Sequence, residues 1–474
     1  MQEKAPLVGE PAKADTGSTV DTIDETETVE ETSPLDVTGR GLPLVYPDMV
    51  IPFALLILCF IAWGVAQDLT APMVAAFKGI FTMSTLQASL VQFAYFGAYF
   101  MLALPAAFIN QRFGYKVGVL SGLGLAALGA FLFYPASLVM TYGFFLAALF
   151  VMAAGLSILE TSANPFAIAM GPEENATKRL NLAQAFNPLG TNLGVLLAIL
   201  LIYPYLNPAT AEQREAMPPE WLVEIQRAEL NAVMGPYLGL AVALALIWVA
   251  IALRKTPTSH ETVVSDTHMN FGATAGRLFR NRGYSFGVAA QFFNVAAQVC
   301  VWTYIILYVD EVVPGGDKIM GGFFLQASLI VFFIARFVMV WLMNYVRATK
   351  LLAILASAAV LLCLYAAFVP GVSGAWAIVA VSFCLSLMFP TIYGVSLRGL
   401  GPDTKFGAAF LVMAIVGGAI MPAVQGAVTD ATNAAIAFIV PAVCFAFVAA
   451  YGLYDMSRSR SDNEDQPEIV MSGH

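Results

Sequence analysis

Apolar residues run on through this chain in long blocks, without the two-residue alternation of a half-buried strand or the one-sided stripe of a surface helix. Twelve blocks stand out, at 49–75, 86–109, 117–134, 138–163, 180–203, 237–253, 286–309, 320–346, 351–369, 375–397, 406–428 and 435–453. About 20 apolar residues in a helix cross the hydrocarbon core of a bilayer, so each block predicts one crossing. Barrel strands would be half as long and would alternate, which this pattern excludes.

The polar breaks between blocks fix the expected orientation. Placing both termini in the cytoplasm puts eighteen of the 23 basic residues inside, among them Arg112, Lys116, Lys178, Arg179, Arg347 and Lys405. Lys78, Arg214, Arg227 and Lys318 fall outside and Arg336 lies within a block, a bias that follows the positive-inside rule. The interval 255–282 is rich in basic residues and separates six crossings from six more. It predicts a cytoplasmic linker between two six-helix halves, 47–254 and 283–455, of the kind that carriers place around a midplane site. Residues 1–46 are acidic and poor in large apolar side chains, and are expected to form a disordered cytoplasmic tail; 456–474 form a second one. The interval 206–230 is expected to be an external loop with a short surface helix near 220–229.

Composition agrees with a protein solvated by lipid. Of the residues, 59% are hydrophobic and 12% charged, against about 45–50% and about 25% in soluble chains. All five cysteines fall within predicted crossings, so neither a disulfide framework nor a zinc site is expected. The acidic start is the reverse of a cleavable signal, and the first crossing is expected to be retained. His260, His268 and His474 all fall in predicted cytoplasmic segments, which excludes a histidine proton relay, and no Walker-type phosphate loop is present. No nucleophile, base or metal cluster marks an enzyme. No cofactor and no nucleic-acid partner are expected, and the chain is expected to act as a monomer in the cytoplasmic membrane.

Three isolated charges carry the candidate chemistry. Glu160 has no charged neighbour between Lys116 and Glu173, Asp68 none between Asp48 and Lys78, and Arg336 none between Lys318 and Arg347. A charge deep in a bilayer costs roughly 2.5–3.5 kcal/mol on insertion scales, so such a residue is a functional candidate by default. Glu160 is expected to couple a proton. Asp68, about 30 Å along the first helix, either joins it or caps a helix end near external water. Arg336 stays charged and needs partners: either Glu160 across the two halves or helix carbonyls. Asn181, Gln184 and Asn187 recur every three residues, and Asn294, Gln298 and Trp302 every four, with Tyr304 nearby. Amides that donate and accept, beside an aromatic ring, fit the hydroxyls and the C–H face of a sugar.

Several longer motifs carry a family resemblance. Leu159-Glu160-Thr161-Ser162-Ala163-Asn164-Pro165-Phe166, Arg179-Leu180-Asn181-Leu182-Ala183-Gln184-Ala185-Phe186-Asn187, Phe389-Pro390-Thr391-Ile392 and Gly401-Pro402-Asp403-Thr404-Lys405-Phe406-Gly407 resemble the L-fucose:proton symporter family of the major facilitator superfamily. The similarity runs from about Pro47 to Tyr454. It implies an all-α membrane protein of twelve transmembrane helices in two six-helix halves, alternating access, and proton-driven uptake of a monosaccharide, L-fucose or a related hexose. It places the family's coupling carboxylate at Glu160 and its binding side chains at Gln184, Asn187, Gln298, Trp302 and Arg336. Two positions depart from the family pattern. Ala71 stands where a first-helix aspartate is expected, with Asp68 one turn earlier, and Phe389 stands where a tyrosine is expected. Uptake or passive facilitation of glucose, galactose or an amino sugar, and a non-transporting sugar sensor, are the alternatives.

Overall fold

The computed structural model describes residues 42–80, 85–207, 209, 213–214, 216–254 and 271–464. The predicted acidic tail up to residue 41, the three histidines and the first part of the linker lie outside the described residues. Helices alone build the rest. They are α1 (Val50–Ile80), α2 (Thr85–Phe113), α3 (Tyr115–Val139), α4 (Tyr142–Ala169), α5 (Ala176–Gln184), α6 (Asn187–Leu201), α7 (Pro219–Leu253) and α8 (Phe271–Arg280). There follow α9 (Arg282–Val312), α10 (Lys318–Leu342), α11 (Ala348–Phe368), α12 (Val372–Leu385), α13 (Met388–Leu397), α14 (Thr404–Met413), α15 (Gly417–Ala431) and α16 (Ile439–Glu464).

Among the described residues, 10 segments are long and apolar enough to cross a membrane. The other two predicted crossings fall on α2 and on the pair α5–α6. That pair is a correction to the reading of 180–203 as one helix. Pro188 offers no N–H and its ring crowds the carbonyl four residues back, so the helix stops at Gln184 and restarts at Asn187. In the tenth predicted crossing α12 and α13 are separated at Ser386–Leu387 for the same reason, ahead of Pro390. Pro165 is instead carried inside α4, and the Thr161 carbonyl it displaces accepts from Asn110 Nδ2 at 3.3 Å. Discontinuous crossings are tolerated in lipid where other side chains satisfy the freed backbone.

Three further elements differ from expectation. The sixth crossing and the surface helix predicted near 220–229 form one helix, α7, which carries Pro236 within it. The linker is helical from Phe271 to Arg280, and α16 continues past the predicted end of the last crossing to Glu464. Arg112 to Lys116 forms a tight turn, with Gly114 at φ 85° where a side chain would be strained.

Helices α1, α3 and α4 pack against α6, α7 and α2, and α9, α10 and α11 against α12, α15 and α16. The two sets meet where α14 lies on α2, α13 on α5, and α10 on α5 and α6. Arg179 anchors one such corner: its guanidinium donates to the carbonyls of Ala167, Ile168 and Gly171 at the end of α4, and to Leu44 and Pro172. A buried cation at a helix C-terminus satisfies the orphan carbonyls and opposes the negative end of the dipole.

Candidate functional site

A cavity with about 1020 Å³ of space free of protein atoms, part of it open to solvent, lies between the two sets of helices. Gln67, Asp68, Tyr95, Tyr99, Glu160 and Asn187 make one wall polar. Val295, Val299, Leu329, Phe332 and Phe389 make the other mostly apolar, interrupted by Gln298, Trp302 and Arg336. Glu160, Asp68, Gln184, Asn187, Gln298, Trp302, Arg336 and Phe389 therefore share one space, which Asn181, Asn294 and Tyr304 do not line.

Asn294 lies away from the space that the sequence reading expected it to share. It is fully buried, lines no part of the cavity, and neither amide atom has a hydrogen-bond partner. Each step of four residues overshoots a helical turn by about 40°, so by Asn294 the stripe through Trp302 and Gln298 has rotated away from the cavity. Asn181 also leaves its stripe: its amide donates to Thr177 O at 2.9 Å and to Thr391 Oγ1 at 3.2 Å, tying α5 to α13.

Glu160 is 1% exposed, yet its side chain reaches the cavity wall. Neither of its carboxyl oxygens has a hydrogen bond of good geometry, and the side-chain donor that comes nearest to making one is Asn164, one turn further along α4. Arg336 does not pair with it. Arg336 Nη1 donates to the main-chain oxygen of Gln184 at 2.9 Å and approaches Gln184 Oε1 at 3.5 Å, while the guanidinium lies 4.7 Å from the centre of the Phe332 ring. Gln184 Nε2 in turn donates to Asn164 Oδ1 at 2.8 Å. A guanidinium on α10 is thus linked to the neighbour of Glu160 on α4 through one glutamine. The acceptor carbonyl is the one that Pro188 strips from the helix, so one proline supplies the arginine with its partner.

Asp68 is placed by close helix packing. At Gly64 and Gly190 the backbones of α1 and α6 approach until a Cβ on either would collide with main-chain atoms of the other helix. Asp68 is one turn beyond Gly64, and its carboxylate interacts with the Thr191 hydroxyl. Asn187 Nδ2 donates to Phe60 O at 3.2 Å in the same seam. On the other side Trp302 Nε1 donates to Ser382 Oγ at 3.1 Å and its ring meets Phe332 edge-on at 5.1 Å, which fixes an aromatic face beside Gln298. Tyr304 bonds Pro422 O and stays out of the cavity.

Sequence reasoning missed Trp63, Tyr95 and Tyr99 on the polar wall, and Tyr393, whose ring stacks on Phe389 at 6.1 Å. Spacing held the signal for two of them, since Tyr95 and Tyr99 stand one helical turn apart.

Crossing helices packed around a cavity that polar side chains line define a multi-pass membrane protein with a central site between its helices. Its sequence matches the Major Facilitator Superfamily over residues 53–410, and the chain belongs to that family. It is 38% identical over 407 residues to the L-fucose-proton symporter of Escherichia coli, covering 85% of this chain and 93% of that one. It is 35% identical over 405 residues to a glucose/galactose transporter of Brucella abortus, covering 84% and 92%. The crystal structure of the transporter FucP in the outward conformation superposes with a TM-score of 0.80 at 37% identity, over 86% of this chain and 99% of that one.

Proposed function

We propose that this protein carries a monosaccharide, L-fucose or a related hexose, inward across the cytoplasmic membrane together with a proton, by alternating access. The observation that carries the proposal is Glu160, a carboxyl in an uncharged helix, on the cavity wall, with no hydrogen bond to either oxygen. A neutral carboxyl costs far less to enclose than a charged one, so a bound proton makes the occluded state accessible. The halves 47–254 and 283–455 rock about the cavity, with both termini in the cytoplasm as the basic residues predict. Gln184, Asn187 and Gln298 bond the sugar hydroxyls, and Trp302 and Phe389 cover its C–H faces. Arg336 holds Gln184 in place. Asp68 supplies the first-helix carboxylate that Ala71 does not.

The names of the relatives support sugar and proton as the pair carried. A second reading, uptake of glucose or galactose, is favoured by the Brucella relative and by Phe389, which removes a hydroxyl from the apolar wall. Proteoliposomes with an imposed inward proton gradient, offered L-fucose, D-galactose, D-glucose and N-acetylglucosamine in turn, decide between them. Glu160→Gln should abolish accumulation against a gradient while sparing exchange of sugar for sugar. Full accumulation by that variant would sink the coupling mechanism.

A further inference from the structure

Two phenols share the cavity wall with its two carboxyl groups. Tyr46 N donates to Met170 O at 3.0 Å, so the start of α1 and the end of α4 lie side by side. Measured from that end at 1.5 Å per residue, Asp68 is about 27 Å along α1 and Glu160 about 14 Å back along α4. On α2, which runs antiparallel to α1, Tyr95 precedes Tyr99 by one turn. Tyr95 is therefore the nearer to Asp68 and Tyr99 the nearer to Glu160.

Hydrogen bonds give this pair a direction. Tyr95 donates its hydroxyl to the Tyr99 oxygen at 3.4 Å, with the rings 5.1 Å apart. Trp63 Nε1 donates to the same oxygen at 2.9 Å. With both approaches to its oxygen taken, Tyr99 has its own proton free to give, and Glu160, whose oxygens make no hydrogen bond of good geometry, lines the same cavity. Ser157 Oγ, one turn before Glu160, donates to Tyr99 O at 3.0 Å and holds α2 against α4 at this height.

We propose that Tyr95 and Tyr99 relay the proton from Asp68 to Glu160. The inference rests on the coupling role given above to Glu160. The cavity is partly open to solvent, and water entering it would carry the proton across the gap at each end of the pair. The Asp68 carboxyl gives its proton to the Tyr95 oxygen as the Tyr95 hydroxyl proton passes to Tyr99, and the Tyr99 proton passes to the Glu160 carboxylate. Each O–H bond broken is matched by one formed, both phenols stay neutral, and the hydroxyls then rotate back. Asp68 and Glu160 are the acidic side chains lining the cavity, and Arg336 is the basic one.

The test follows protonation of Glu160 after a pH jump, by the infrared carboxyl band that Glu160→Gln removes, in purified protein without sugar. Tyr95→Phe and Tyr99→Phe should each slow the band's appearance by about tenfold or more, as expected when a positioned proton-transfer group is lost. Trp63→Phe, which keeps both phenols, should slow it less. Rates equal to the parent in both tyrosine variants overturn the relay. A readout on the unaltered protein guards against misfolded variants. In deuterium oxide its rate should fall by about half or more, since several protons move, and an unchanged rate overturns the relay equally. If Glu160→Gln leaves sugar accumulation intact, the coupling role fails; if it abolishes accumulation while the phenols prove irrelevant, the relay alone fails.

Discussion

Arg336 reaches the main-chain oxygen of Gln184 at 2.9 Å, a carbonyl available because Pro188 cannot close the helical bond to it. The arginine is 6% exposed and its Nε has no hydrogen-bond partner, so this contact and the Phe332 ring are its main compensation for leaving water. Hydrogen bonds to charged groups contribute about 1.5–3 kcal/mol, and an uncompensated buried charge costs more.

Pro188→Ala restores an N–H that competes for the Gln184 carbonyl. Uptake should fall by about tenfold, which corresponds to loss of one charge-assisted hydrogen bond, while thermal stability in detergent is kept or raised. Initial uptake rates and melting curves measure both. Unaltered uptake would mean that the broken helix is incidental to the arginine.

Asp68→Asn keeps a side chain that can bond the Thr191 hydroxyl but cannot take up and release a proton. The number of protons entering per sugar should fall, read as alkalinisation of the medium against labelled sugar, with binding of sugar changed little. An unchanged ratio would assign Asp68 to packing alone.

Gly190→Ala forces a Cβ into the main chain of α1 at Ile61. Overpacking of this kind costs about 1–3 kcal/mol, and the seam carries Asn187 and Thr191, so both the melting temperature and sugar affinity should drop. Gly97→Ala is the control, because nothing lies within 4 Å of its Cβ position. If the two variants melt alike, the close approach of α1 and α6 is not limiting.

The loop before α7 is held by a buried ion pair. Arg214 Nη2 meets Glu229 Oε1 at 2.6 Å and Nη1 meets Oε2 at 2.9 Å, with the side chains 3% and 2% exposed. Removing one partner of a buried pair costs about 3–5 kcal/mol, so Glu229→Gln should open this loop to protease. The bonds to Glu229 raise the Arg214 guanidinium above its ordinary value, against the effect of burial. A group raised in the folded state contributes fully below its unfolded value and loses that contribution only above it. Arginine's contribution to loop protection in hydrogen exchange should therefore stay flat from about pH 5 to pH 9.

Much of the site was legible because charge in a long apolar block has few reasons to be there. Glu160, Asp68 and Arg336 stood out on that ground, and all three line the cavity. The amide stripes were legible only in part: Gln184, Asn187 and Gln298 face the cavity, whereas Asn181 and Asn294 do not, because the direction of a stripe depends on neighbours that a single helix does not name. Aromatic residues were the blind spot, since Trp63, Tyr95 and Tyr99 look like ordinary membrane-core side chains until their hydroxyl and indole groups are seen to meet.

The amino-acid sequence by itself determined that this chain crosses a bilayer repeatedly and where its buried charges fall. Apolar blocks of that length have one low-energy environment, and a carboxylate among them is costly wherever the helices pack. Tertiary structure alone decided which polar groups share a space: that Arg336 binds the carbonyl freed by Pro188 and not Glu160, that Asn294 is shut away, and that Tyr95 and Tyr99 meet on the wall that Asp68 and Glu160 also line. Those outcomes turn on ångström-scale approaches between helices far apart in the chain, set by glycine seams and broken turns, which local periodicity does not encode.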